Sequence, residues 1–257
     1  MIAIVRRVVL VLALPTIIFV TWWFASADSQ QFYQPPLKTI VGIVPETWRS
    51  LLTDLGPSLS RLLAGYALAL VVGVALGVLI GSSRWLRALT EPTLEFLRAV
   101  PPPILVPIII LVAGIGDLMK VLVVFSGCVW PVLLNTVEGV RATDEVLIDT
   151  CRSYRVRGGL RLRRLVLRSA SPQIMTGARQ ALAIAIILMV ISELLASTDG
   201  VGYSIIEFQR GFQIPEMWAG VFFLGLLGIT LSLIFWLVER RVLAWYHGVR
   251  ASERGVR

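Results

Sequence analysis

The sequence predicts an all-α, polytopic membrane protein with six transmembrane helices. Three observations predict it. Apolar residues make up 56% of the chain and mean hydropathy is +0.81, whereas soluble domains hold ~45–50% apolar residues. Six apolar runs each approach the ~17–25 residues that cross a bilayer. The basic residues also sort by side. With the N-terminus inside, seventeen of the 24 Lys and Arg fall in cytoplasmic segments and five in outer ones, as the positive-inside rule requires. Arg98 and Arg179 sit near the cytoplasmic ends of the third and fifth runs. The net charge of +8 is then mostly topology, and no nucleic-acid partner is expected.

The first run is 8–27. Arg6 and Arg7 precede it and Ala25-Ser26-Ala27 resembles a signal-peptidase site, but the run exceeds the ~7–15 residues of a signal core. Trp22 and Trp23 also suit an interfacial belt, so a retained span is expected. Residues 29–57 follow outside. Pro35-Pro36 breaks the chain, and apolar residues at 37, 40, 41, 44, 48, 51 and 52 predict a short amphipathic surface helix. The second span is 59–81, with Arg61 at its outer end. It carries Gly65, Ala69, Gly73, Gly77 and Gly81, a stripe of small residues that lets another helix approach closely. Packing inside the subunit is favoured over a subunit interface.

The third span, 99–116, holds Pro101, Pro102, Pro103 and Pro107, which break the hydrogen-bond ladder and need shelter from protein or water. Glu95 and Arg98, three apart at its cytoplasmic end, are placed to pair. The fourth span is 121–137. The fifth, 180–198, is interrupted only by Glu193, a costly residue in lipid. Glu193 either partners another helix or lines a polar pathway, and Glu95 and Arg98 are candidates for the same role. The sixth span is 217–238, and an even count puts both termini on the cytoplasmic side.

The segment 142–172 is the one sizeable cytoplasmic loop. From Thr150 to Pro172 it holds seven arginines and no acid. Thr143 is placed to cap a helix with acids in its first turn, running to Tyr154. Gly158-Gly159 predicts a break, residues 160–169 a second short helix, and Pro172 the start of span five. Such a loop suits an anchor to anionic lipid or a knob that docks a cytoplasmic partner. The single His247 excludes a multi-His metal site. Cys128 and Cys151 fall in different compartments and are read as free thiols. No Gly-x-x-x-x-Gly-Lys-Ser/Thr loop is present, and the two lysines are Lys38 and Lys120, so no nucleotide or cofactor is expected in this chain.

Several stretches together resemble one family. They are LSRLLAGYALALVVGVALGVLIG (59–81), LRAVPPPILVPIIILVAGIGD (97–117), WPVLLNTVEGVRATDEVL (130–147) and SPQIMTGARQALAIAIILMVISELLASTDGVGY (171–203). In order and spacing they are similar to the permease subunits of ABC importers of nitrate/sulfonate/taurine type. The resemblance implies a type I importer permease fold in a bacterial inner membrane. It implies two ATPase subunits that bind ATP and Mg, a second permease subunit, and an extracytoplasmic substrate-binding protein. It further implies that Asp149, Thr150, Cys151, Arg152, Ser153, Tyr154, Arg155 and Val156 form a coupling helix that enters a groove on the ATPase. The loop departs from the family pattern. Asp149, Thr150 and Cys151 replace Glu-Ala-Ala, Arg155 replaces a Gly, and Arg168 replaces a Pro. Because Arg155 cannot turn through the left-handed region as cheaply as Gly, a longer or differently bent helix is expected. The departures also favour a different chain over an identical one as the second permease. A scaffold subunit without transport, or a lipid enzyme using Glu193, Glu95 and Arg98, remains a rival reading.

Overall fold

The computed structural model describes residues 2–156, 158–246 and 248. Arg157, His247, Arg250, Arg254 and Arg257 lie outside the described residues, as do the side chains of Arg6 and Arg7. Ten α-helices follow one another among the described residues, with no strand: α1 (Ile2–Ala25), α2 (Leu37–Gly81), α3 (Arg84–Arg98), α4 (Val106–Ala113), α5 (Asp117–Arg141), α6 (Glu145–Ser153), α7 (Gly158–Arg161), α8 (Leu167–Ala196), α9 (Val201–Arg210) and α10 (Ile214–Val242). A 3-10 turn, Pro102–Leu105, precedes α4, and a π segment, Leu162–Val166, joins α7 to α8.

Among the described residues, four helices are long and apolar enough to cross a membrane: α2, α5, the continuous run Gly158–Ala196, and α10. The pair α3 and Pro102–Ala113, bent by 83°, has the length and composition of a fifth, either as a broken span or as a re-entrant segment. In α1 the described side chains cover Ala13–Ala25, an apolar stretch shorter than a full crossing. The stretch expected as the third span is thus not one straight helix. Its prolines leave the α4 limb only eight residues long.

Two boundaries differ from expectation, the first because tertiary contacts override local breakers and the second because a neighbouring side chain does. The surface helix and the second span are one 45-residue helix, α2, which runs through Pro45 and Pro57. Its N-terminal half is packed against other helices rather than lying free as a surface helix. Leu37 and Ile40 are buried with Ala219, Leu51 is buried with Val201, Ile205 and Phe223, and Trp48 Nε1 donates to the Ala219 carbonyl at 3.0 Å. The second short helix of the loop is likewise the beginning of the fifth span, which passes through Pro172. A proline leaves the carbonyl four residues back without its donor. Ser171 Oγ supplies one, donating to the Arg168 carbonyl at 2.8 Å.

The core is the sandwich of α2, α5 and α8. All five stripe residues of α2 are buried, and the glycines face α5. A Cβ on Gly65 would lie 2.7 Å from Val124 Cβ, and one on Gly73 would lie 2.8 Å from Val132 Cγ1. The stripe therefore packs within the subunit. On the far side of α5, Gly177 of α8 presses against the Pro131 carbonyl. The few polar atoms at these faces are satisfied across helices: Tyr66 Oη donates to the Ala178 carbonyl at 2.9 Å and Cys128 Sγ to the Ala181 carbonyl at 3.2 Å. Both cysteines are free. Large apolar residues of α1, α4 and α10 face outward, among them Phe24, Leu111, Val112 and Leu233. Such faces belong against lipid or another subunit.

Candidate functional site

The docking candidate is α6. Asp144, not Thr143, caps it, its carboxylate accepting from the Val146 N–H at 2.8 Å. Arg152 pairs with Asp149 one turn back at 2.9 Å. Thr150 Oγ1 folds back onto the Val146 carbonyl. Val146 and Tyr154 nonetheless stay 70% and 79% exposed. A helix of nine residues is too short to be stable alone in water, so exposed apolar side chains on it ask for a partner.

The helix ends where the expected glycine would have ended it. Arg155 adopts φ +54°, the Arg155 N–H donates to the Arg152 carbonyl, and the Val156 N–H donates to the Cys151 carbonyl at 2.8 Å. These two bonds form a Schellman cap with Arg155 at its left-handed position. The expectation of a longer or differently bent helix is thereby corrected: hydrogen bonding outweighs the ~1–2 kcal/mol penalty of an L-residue there. Arg155→Gly should stabilise this cap by about 1 kcal/mol, read as slower hydrogen exchange at the Val156 amide.

A second polar centre lies where α2, α5 and α8 meet the 197–200 turn. Glu193 is fully buried. Ser58 Oγ lies 2.7 and 2.9 Å from its two oxygens, the Gly202 N–H donates at 2.9 Å, and Arg61 Nη1 donates at 3.2 Å. Arg61, 5% exposed, also donates through Nε to Asp117 at 2.7 Å and through Nη2 to Asp199 at 2.7 Å. The bond from Arg61 holds the Asp199 carboxyl below the usual carboxylate range. Lys120, equally buried, stands 3.8 Å from Asp117 and 3.9 Å from Asp199. Gly200 closes the turn at φ +106°, and a Cβ there would fall 2.5 Å from the Glu193 carboxyl carbon. Its backbone and the close approach both require glycine.

Of the two roles for Glu193, the geometry fits a buried partner for other helices. Glu95 and Arg98 do pair, at 2.8 Å, but they are exposed on α3 and are not brought to Glu193. They are not buried polar groups. Sequence reading placed Arg61 at a span end but missed Asp117 and Asp199 as its partners, Ser58 as a partner of Glu193, and Lys120 beside the two aspartates. The available signal was a charge inside or beside each of three spans.

Residues 73–244 match the family described as "Binding-protein-dependent transport system inner membrane component". The putative aliphatic sulfonates transport permease protein SsuC of Bacillus subtilis (strain 168) is 31% identical over 73% of this chain and 68% of its own length. The taurine transport system permease protein TauC of Escherichia coli (strain K12) is 26% identical over 95% of this chain and 92% of its own. A chain of the MetNI methionine ABC transporter in an inward-facing conformation shares the fold, with TM-score 0.65 at 16% identity, over 75% of this chain and 95% of that one. The chain therefore belongs to the family of binding-protein-dependent transport system inner membrane components, as a multi-pass permease subunit of an ABC importer whose ATP is hydrolysed by a separate subunit.

Proposed function

We propose that α6 and its cap are the coupling element that seats one of two ATPase subunits, and that this face and both termini are cytoplasmic. The observation that carries the reading is the free apolar side of α6, with Tyr154 79% exposed beside Val146. Aromatic side chains dominate desolvated contacts, so Tyr154 is the anchor. Val146 and Cys151 supply further apolar contact to the partner, while Arg152 and Arg155 set orientation and salt sensitivity. The rest of the mechanism is alternating access. ATP-driven closure of the ATPase pair moves α6, and the helix bundle rocks between inward-open and outward-open states.

The substrate pathway runs along the broken third span. Non-helical backbone at membrane depth is tolerated only inside protein or beside water, and Arg98, Ala99, Pro101 and Pro103 are exposed in the single chain. A second permease subunit supplies the other wall. The departures at Asp149, Thr150, Cys151 and Arg155 favour a different chain for it, carrying a more typical loop. A single-tag purification that yields one permease species sinks that part. The relatives named above are described for aliphatic sulfonates and taurine, so a small sulfonate delivered by an extracytoplasmic binding protein is the first substrate to test.

Tyr154→Ala should cut ATPase retention by about 30-fold, the equivalent of ~2 kcal/mol at a hot spot. Arg163→Ala should leave it unchanged. In intact cells an impermeant maleimide should not label Cys151. Full retention and coupled transport in Tyr154→Ala would refute the docking role, and labelling of Cys151 would reverse the orientation.

A further inference from the structure

Between α6 and the ends of α2, α3 and α5 lies a cavity of about 640 Å³. Arg84, Arg87, Arg141, Arg152 and Arg161 line it against two carboxylates, Glu145 and Asp149. Arg152 and Arg141 are partly spoken for, by Asp149 and Glu138. Arg87 spends one nitrogen on the Gly81 carbonyl at 2.8 Å.

Among the described residues, three buried side-chain nitrogen or oxygen atoms lack a hydrogen-bond partner: Arg87 Nε, Thr143 Oγ1 and Arg161 Nε. All three residues line this one cavity. Thr143 is 7% exposed. It is not spent on capping α6, because Asp144 does that. Buried polar groups are ordinarily paired, and five arginines facing two carboxylates, with two unpaired guanidinium nitrogens and a hydroxyl just beneath the wall, are a donor set for an oxyanion.

We infer that this cavity binds a phosphate-bearing anion, which joins α3, the Thr143 turn and α7 behind the docking helix. Phosphate offers several acceptor oxygens in a tetrahedral array, and the guanidinium fork matches it. Inner-leaflet phospholipid and a soluble phosphate compound share this chemistry. The cavity stands on geometry alone. Only its place at the inner leaflet rests on the orientation proposed above, and maleimide labelling tests that separately.

The test uses the assembled importer. One probe is phosphatidylglycerol in phosphatidylcholine nanodiscs, with retention read by native mass spectrometry. The other is inorganic phosphate in detergent, read as a thermal shift against chloride at equal ionic strength. The wild type should hold at least one probe. Arg87→Gln/Arg161→Gln should weaken it about tenfold or more. Thr143→Val keeps every charge, and it should weaken the same probe several-fold even where the double variant fails to assemble. Arg163→Gln/Arg164→Gln, outside the cavity, should change nothing. Retention of the lipid alone assigns a headgroup site, and response to phosphate alone assigns a soluble ligand. A wild-type importer that holds neither overturns the inference, whether water or an acidic segment of the ATPase fills the space. Equal binding in wild type and Thr143→Val with Arg87→Gln/Arg161→Gln overturns it too.

Discussion

Arg61→Leu should destabilise the assembled permease by about 3–5 kcal/mol, the cost of leaving a buried charge without its partner. Glu193 has no exposed surface, and among the described residues Arg61 is its only cation within salt-bridge distance. Ser58 and the Gly202 amide would still bond the carboxylate, but they carry no charge. The same substitution frees Asp117 and Asp199, which are exposed enough to be hydrated. The damage should therefore centre on Glu193. Glu193→Gln, which keeps an acceptor for Ser58 and Gly202, should cost less than Arg61→Leu. The double variant Arg61→Leu/Glu193→Leu should recover part of the loss, since a packed apolar pair escapes the desolvation penalty. Thermal denaturation of the purified complex checks the series. An Arg61→Leu protein as stable as wild type would show that the cluster is decorative.

Gly77→Leu should remove assembled protein from the membrane. A Cβ at Gly77 would sit 2.5 Å from Thr136 Cβ and 2.9 Å from the Leu133 carbonyl oxygen. Backbone lies behind the contact, so α2 and α5 must part. Overpacking of this kind costs ~1–3 kcal/mol at a single site, and the neighbouring stripe contacts would open with it. Gly42→Leu is the control, because a Cβ there meets nothing within 4 Å. It should cost almost nothing. Equal yields of the two variants by fluorescence size-exclusion chromatography would place the stripe against lipid instead.

What could be read from the sequence was whatever is local. Hydropathy located the apolar segments because a bilayer imposes length and composition on each one separately. The stripe was visible because its residues recur every fourth position. The end set for the surface helix and the start set at Pro172 misled, since a breaker's effect depends on what replaces the missing bond. At Pro172 the replacement is Ser171, while at α2 it is burial of Leu37, Ile40 and Leu51 on α9 and α10. Arg155 misled for the same reason: two capping bonds outweighed its backbone preference. The cluster was the least legible part. Arg61 finds Asp117, Glu193 and Asp199 at separations of 56, 132 and 138 residues, and no periodicity announces such pairs.

The length of α2 has a mechanical consequence. At 1.5 Å per residue its 45 residues reach about 68 Å, roughly twice the ~30 Å of hydrocarbon. The glycine-faced half is clamped to α5, whereas the half beyond Arg61 projects as an arm that carries Trp48 and Leu51 against α9 and α10. The arm from Leu37 to Arg61 is about 36 Å long, so a tilt of about 5° at the clamp sweeps its far tip by ~3 Å. A small angular displacement begun at the Gly81 end thus arrives at Leu37 enlarged, with α9 and α10 carried along.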